Sequence, residues 1–338
     1  MEHHKIMKKL LISLTIILSI IAHFSFANDD YQPILNQAYQ KYKSDNKGKV
    51  ASYIPSLAKY SPQLYGIVLA TADGKIYTVG NTQAKFPLES LSKIFALSLS
   101  LKQDGPNEIL DKIGADATGL PFNSVTAVEQ STNHIGNALV NAGAMATVSL
   151  IKADNGNNKW DLIMNNLNDY ADSKLEINQD VYQSEMATNQ HNQAIAKLLQ
   201  SYGHFYGDTN EAVDLYTREC SVDVSTVELA KMGAVLANSG KSPFNNKQLL
   251  DSKLVPYLLA EMTTAGMYDT SGTWLYLVGL PAKSGVSGGI VAIAPGKFAV
   301  AVYSPPLDNS GNSVRGQETI RYIANQTNSN IFITKDKP

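Results

Sequence analysis

Ser90 and Lys93 stand three residues apart in the stretch FPLESLSKIF, Phe86 to Phe95. On a helix, positions i and i+3 share one face, so the hydroxyl and the amine would meet. Such a pair is a nucleophile beside a base, provided that the amine is neutral. Phe86, Leu88, Ile94 and Phe95 supply the apolar surroundings that disfavour an ammonium. Pro87 suits a first helical turn. Ser90 then falls near a helix N-terminus, where free N–H groups and the positive end of the dipole favour developing negative charge. Ser92, offset by two from Ser90, points elsewhere.

S-x-x-K alone occurs by chance in many helices. A second element gives it meaning: PAKSGVSGGI places Lys283-Ser284-Gly285 on a β-rich run far downstream. An S-x-x-K helix and a K-[ST]-G strand in this order is the arrangement of class A β-lactamases and penicillin-binding proteins. There the strand flanks the serine and helps to stabilise the oxyanion.

Competing centres are weaker. GVSGG, Gly285 to Gly289, matches the G-x-S-x-G nucleophile elbow, but that motif needs a strand before it and a helix after it. Here it runs into IVAIAPGKFAVAV, which reads as strand, turn, strand, so Ser287 is rejected as nucleophile. Its glycines read as places of close backbone approach, by a ligand. His134, His191 and His204 lack zinc-helix spacing, and no metal or other cofactor is expected. Cys220 reads as a small buried residue.

The elements that must carry these residues follow from pattern. LYGIVLATADGKIYTVG reads as a hairpin turning at Ala72–Gly74. A mainly helical block follows, then two strands joined at Pro295-Gly296, and the helix VRGQETIRYIANQ closes the chain. The expected fold is α+β: one antiparallel sheet from strands far apart in sequence (sheet part about 28–86 and 260–338), flanked by N- and C-terminal helices, with a large inserted helical subdomain at about 87–259.

The 338 residues carry a net charge of −2, which gives nucleic acid no basic surface. The first 27 residues differ: Lys5, Lys8 and Lys9 precede the apolar LLISLTIILSIIA, and small residues follow at Ser25 and Ala27. This reads as a secretory signal peptide cleaved after Ala27, with 28–338 as the catalytic domain. The expected location is periplasmic or secreted, with no membrane attachment once the signal is removed; a non-functional signal would leave the protein in the cytoplasm.

The stretches LESLSKIFAL, GLPFNS, LVNAGAM, SEMATNQHNQAIA, TAGMYDTSGTW and VGLPAKSGVSGGIVAIAPGKFAVAVYSPPLDNSGNSVRG together resemble the bacterial glutaminase family, which has a β-lactamase/DD-peptidase-like fold. The resemblance implies hydrolysis of L-glutamine to L-glutamate and ammonia through a γ-glutamyl-serine intermediate. It implies catalytic roles for Ser90, Lys93, Tyr53 and Tyr268, and substrate binding by Ser90, Asn141, Glu185, Asn192, Tyr216, Tyr268 and the backbone of Val286. Glu185 would take the α-ammonium, and Asn141, Asn192 and the tyrosines the α-carboxylate. Glu185 and Asn192, seven apart, would lie on one face of one helix. The family likeness suggests a homodimer or homotetramer. Glu89 departs from the family's usual Gln, and Ser287 from a frequent Gly. Two alternatives stay open on the residues: a penicillin-interacting serine hydrolase of the same fold, and a non-catalytic exported glutamine-binding protein.

Overall fold

The computed structural model describes residues 30–333, so the signal-like segment lies outside the described residues. From Gln32 onward the described chain forms one compact unit. Strands β1 (Gly66–Thr71) and β2 (Ile76–Gly80) form the expected hairpin, with Gly66 opposite Gly80 and Ala70 opposite Ile76. Its turn includes Gly74 at φ 93°, which favours glycine.

Two further segments pair side by side: a two-residue strand β3 (Phe86–Pro87) and a second short strand β4 (Glu176–Ile177) flank β5 (Val222–Val224) in a small antiparallel sheet. Strands this short carry no periodic signal and are not legible in the sequence. They also correct one expectation. Pro87 lies in β3, not in a helical turn. After it the chain makes a 3-10 turn, Glu89–Leu91, and the helix starts only at Ser92.

Strands β6 (Ala282–Ser284), β7 (Gly289–Ala294) and β8 (Phe298–Tyr303) join the first hairpin in one five-stranded antiparallel sheet, ordered β2-β1-β8-β7-β6. The union of strands far apart in sequence is as expected. Strands β1, β7 and β8 are buried along their whole length, whereas edge strand β2 alternates between exposed and partly exposed positions. Continuous apolar runs such as GIVAIA and FAVAVY are what a sheet covered on both faces requires.

The twelve helices of the described chain are α1 (Gln32–Tyr42), α2 (Ser92–Lys112), α3 (Val125–Gln130), α4 (Asn141–Leu150), α5 (Gly156–Ala171), α6 (Gln179–Met186), α7 (Gln190–Ser201), α8 (Thr209–Cys220), α9 (Thr226–Ala237), α10 (Val255–Ala265), α11 (Ser271–Val278) and α12 (Val314–Gln326). Helices α1 and α12 cover one sheet face, and α9 covers the other. Ser225 and Glu228 close a capping box at the start of α9. Gly233 lets α9 sit close to the sheet. A Cβ there would stand 2.7 Å from the Ala299 Cβ and 2.8 Å from the Val291 Cγ2. Helix α2, mostly buried, is the hub of the helical part and packs on α4, α5 and α10. Ser90 and Lys93 meet where the 3-10 turn, packed against β6 and β7, runs into this central helix.

Candidate active site

Ser90 sits in the 3-10 turn between β3 and α2, and Lys93 one turn later at the start of α2. The Lys93 Nζ lies 3.0 Å from the Ser90 Oγ, so the pair inferred from spacing is made. Lys93 is 1% exposed. Burial lowers its pKa to about 8, with nearby acidic groups and Cys220 opposing the shift. An amine held there is neutral in part of its population near pH 7, as a general base must be.

The amine has a second partner. Its Nζ is 2.7 Å from the Asn141 Oδ1, which also accepts from the Tyr216 hydroxyl at 3.2 Å. Asn141 opens α4, and its Nδ2 donates to the Asn192 Oδ1 at 3.0 Å. Asn141 therefore faces the lysine as well as the pocket, a role that sequence alone did not indicate. The phenol face of Tyr216 and the ring of Phe122 lie 5.8 and 5.9 Å from the amine.

Tyr268 approaches the serine from the opposite wall. Its hydroxyl donates to the Ser284 carbonyl at 3.0 Å and lies in hydrogen-bonding reach of Ser90. It is the first residue of a 3-10 turn and holds φ at 55°, in the left-handed region. Beneath it Lys283 is fully buried. Its Nζ donates to the carbonyls of Gly266 (3.2 Å) and Ser284 (2.7 Å) and lies 4.5 Å from the Tyr268 ring centroid. Burial pushes its amine well below the usual lysine range. The K-S-G lysine thus braces β6 and Tyr268 rather than lining the pocket. Tyr53, in contrast, is 59% exposed at the rim.

Ser90, Asn141, Glu185, Asn192, Tyr216 and Val286 surround a cavity of about 140 Å³, with Tyr53 at its edge and Glu89 in its wall. Tyr53, Phe122 and Val286 also line an outer cleft of about 690 Å³. Glu185 and Asn192 do meet at this cavity, but from two helices. Glu185 lies on α6 and Asn192 on α7, with Ala187–Asn189 turning between them. Two hydrogen bonds, Ala187 N–H to Gln183 and Thr188 N–H to Glu185, end the first helix there. Ser92 points away, as expected: its Oγ is 3.3 Å from the Glu219 Oε1 and 3.7 Å from the Cys220 sulfur. Cys220 is buried, and burial pushes its thiol up, away from thiolate character.

The GVSGG segment makes the turn from β6 to β7, which is why it is no nucleophile elbow. Two of its glycines, Gly285 and Gly289, allow close approach to the serine turn. A Cβ on Gly285 would stand 2.7 Å from the Leu88 carbonyl oxygen, and one on Gly289 2.8 Å from Leu91 and Phe86. The Val286 N–H, in the same turn, makes no hydrogen bond to another described residue and stands beside the cavity. Among the described residues no group of His, Cys, Asp and Glu can hold a metal ion, and no helix is long and apolar enough to cross a membrane.

Comparison with known proteins agrees with this geometry. The family model Glutaminase matches residues 48–332. A glutaminase of Colwellia psychrerythraea is 52% identical over 301 residues, 89% of this chain and 97% of that relative. Glutaminase 1 of Escherichia coli K12 is 48% identical over the same shares. A solved structure titled as probable glutaminase ybaS superposes with a TM-score of 0.88 at 48% identity, covering 89% of this chain and 97% of that one. The Bacillus subtilis glutaminase YbgJ, solved as a covalent complex with 5-oxo-L-norleucine formed from 6-diazo-5-oxo-L-norleucine, superposes at 0.82 with 26% identity, covering 90% of this chain and all of that one.

Gly285→Ala tests the packing of strand against turn. The added methyl pushes on the Leu88 carbonyl and shifts the serine. Acylation of Ser90 by an activated ester is expected to slow about tenfold or more, as displacements of this size do, while the melting temperature falls only modestly. Unchanged acylation would mean that the contact does not position the serine.

Proposed function

The chain belongs to the glutaminase family, and from that premise we propose that it hydrolyses L-glutamine to L-glutamate and ammonia on Ser90, through a γ-glutamyl ester. The observation that carries this reading is the buried Lys93 amine, 3.0 Å from the Ser90 Oγ.

Neutral Lys93 takes the Ser90 proton as Oγ attacks the side-chain amide carbon of glutamine. The N–H groups of Ser90 and Val286 receive the oxyanion, a contribution of about 3–4 kcal/mol per donor in comparable sites. The proton passes to the amide nitrogen, the C–N bond breaks and ammonia leaves. Water, losing its proton to the same lysine, attacks the ester, and glutamate departs as Ser90 regains its hydroxyl. Tyr268 is the better placed of the two tyrosines to hand protons along this line, since it contacts Ser90 while Tyr53 stands at the exposed rim. Tyr53 is assigned to closing the rim over the substrate.

Glu185 takes the α-ammonium. Asn192 and Tyr216 take the α-carboxylate together with Asn141, whose oxygen also holds Lys93. A pocket of such groups rejects amides that lack the amino-acid head, because its own polar atoms would stay unpaired. The penicillin-interacting and binding-only readings lack a specific observation here. The braced K-S-G lysine leaves no cation facing the cavity from β6, and the buried Ser90–Lys93 contact serves no purpose in a mere binder.

The N-terminal leader and an assembly of two or four copies belong to this proposal, supported by the residue pattern of 1–27 and by the family likeness. The protein recovered from the cell envelope is expected to begin at Asn28 and to sediment as a homodimer or homotetramer; a retained leader or a monomer would refute the respective point.

Two kinetic outcomes follow for residues 28–338. Ser90→Ala lowers ammonia release by at least about a thousandfold, and Lys93→Ala by roughly a hundredfold or more. Wild-type-like activity in either variant would exclude the mechanism. Asn141→Asp places a negative charge 2.7 Å from the amine. An opposite charge favours the ammonium, so the Lys93 pKa rises and the acid limb of the kcat/KM profile moves to higher pH. A profile that moves down, or stays, would show that Lys93 is not the base.

A further inference from the structure

Glu89 and Glu185 line the cavity together, next to Ser90. Each has a fully buried carboxyl oxygen, Oε1, to which no described N–H or O–H donates. The two side chains are also within hydrogen-bonding reach of each other. Two ionised carboxylates hold only acceptors, and at that range they repel strongly in a poorly solvated site. One proton between them converts an orphaned pair into donor and acceptor and leaves a single negative charge.

Position decides which residue carries the proton. Glu89 is 4% exposed and pinned in the serine turn, at φ 52°. Glu185 is less enclosed as a residue, and although its Oε1 is buried, the Ser221 hydroxyl lies within hydrogen-bonding reach of its carboxyl. That donor favours the ionised form, so the charge is better stabilised on Glu185. Burial raises both groups, Glu89 well above the carboxylate range and Glu185 up to about 7. The other titratable groups around the pair are Lys93 on α2, His191 on α7, Glu219, Cys220 and Tyr216 on α8, Tyr60 beside Glu89, and Tyr53 and Tyr268 at the rim and opposite wall. The Lys93 amine hydrogen-bonds to Ser90 and Asn141, not to the two carboxyls.

We propose that Glu89 is a neutral carboxylic acid that donates its proton to Glu185, and that it acts as a positioning residue, holding Glu185 as a single oriented charge for the α-ammonium of glutamine. The inference rests on the assignment of Glu185 to that ammonium. It places a specificity determinant in the residue next to the nucleophile. A doubly charged pocket would favour a dication; a singly charged one fits an amino acid whose other charge is a carboxylate.

Two measurements on the mature chain test this separately. Infrared difference spectroscopy of the ligand-free protein at pH 7, wild type minus Glu89→Gln, is expected to contain the carbonyl stretch of a protonated carboxylic acid. Its absence overturns the shared proton whatever the substrate. In steady-state kinetics Glu89→Leu, which cannot donate, is expected to raise KM about tenfold or more with a smaller change in kcat, the scale of one buried hydrogen bond lost. Glu89→Gln, with its N–H donor, recovers most of that loss, and Glu185→Gln raises KM at least as much as Glu89→Leu. If Glu89→Gln were as damaging as Glu185→Gln, Glu89 would be the ionised member and the proposal wrong. If the infrared band is present but Glu185→Gln leaves KM unchanged, the ammonium assignment fails and the positioning role with it.

Discussion

The structure turns on keeping an amine buried. Lys93 is enclosed at the start of α2, and water does not compensate its charge there. The free energy that burial would take from an ammonium is what makes the side chain a base. That condition constrains everything nearby. Asn141, an uncharged acceptor, can hold the amine without restoring its full basicity, where an aspartate would. The acidic residues close to it, Glu89, Glu185 and Glu219, are themselves buried, and burial raises all three. Protonated Glu89 and Glu219 do not pull Lys93 back to full charge, and the single charge kept on Glu185 offsets the burial only in part, so the amine stays at about 8.

The groups around Ser90 come from segments far apart in sequence. Strand β3 and the 3-10 turn present Ser90, α2 the Lys93 amine, α4 its acceptor Asn141, α6 and α7 the Glu185 carboxyl and the Asn192 amide, and the β6–β7 turn the Val286 N–H. The two sheets hold this together by close approach. Gly285 and Gly289 admit the backbone and side chains of the serine turn at distances that a Cβ would forbid. Gly233 does the same for α9 against the five-stranded sheet. Packing precision here sets the geometry around Ser90, because displacing the turn displaces its hydroxyl.

The fold and site are legible in the sequence where a physical signal is local or repeated. The apolar runs of β1, β7 and β8 gave the sheet, and the GVSGG decoy was dismissed correctly because its flanks are strands. The Ser90–Lys93 contact was legible from helical spacing. It was nonetheless made at a 3-10 turn, since nothing in FPLE signals that Glu89 takes a positive φ. The separation of Glu185 from Asn192 onto two helices is not legible, because the chain turns at Ala187–Asn189 without a Pro or Gly to mark the break. The roles of Asn141 toward Lys93 and of Lys283 toward Tyr268 were out of reach. Each depends on which of several polar neighbours a side chain finds across the fold, and no spacing encodes that. Glu89 was visible as a departure in an apolar run, but its partner was not.

The central claim is that Ser90, activated by a buried Lys93, forms the bond to substrate. The most direct measurement is peptide mapping by mass spectrometry after treating the mature protein with 6-diazo-5-oxo-L-norleucine, the reagent from which the covalent complex of the Bacillus subtilis relative was formed. A single adduct is expected on the peptide that contains Ser90, formed much more slowly in Lys93→Ala and absent in Ser90→Ala. An adduct on Cys220 or any other residue, or equal labelling of the Ser90→Ala variant, would contradict it.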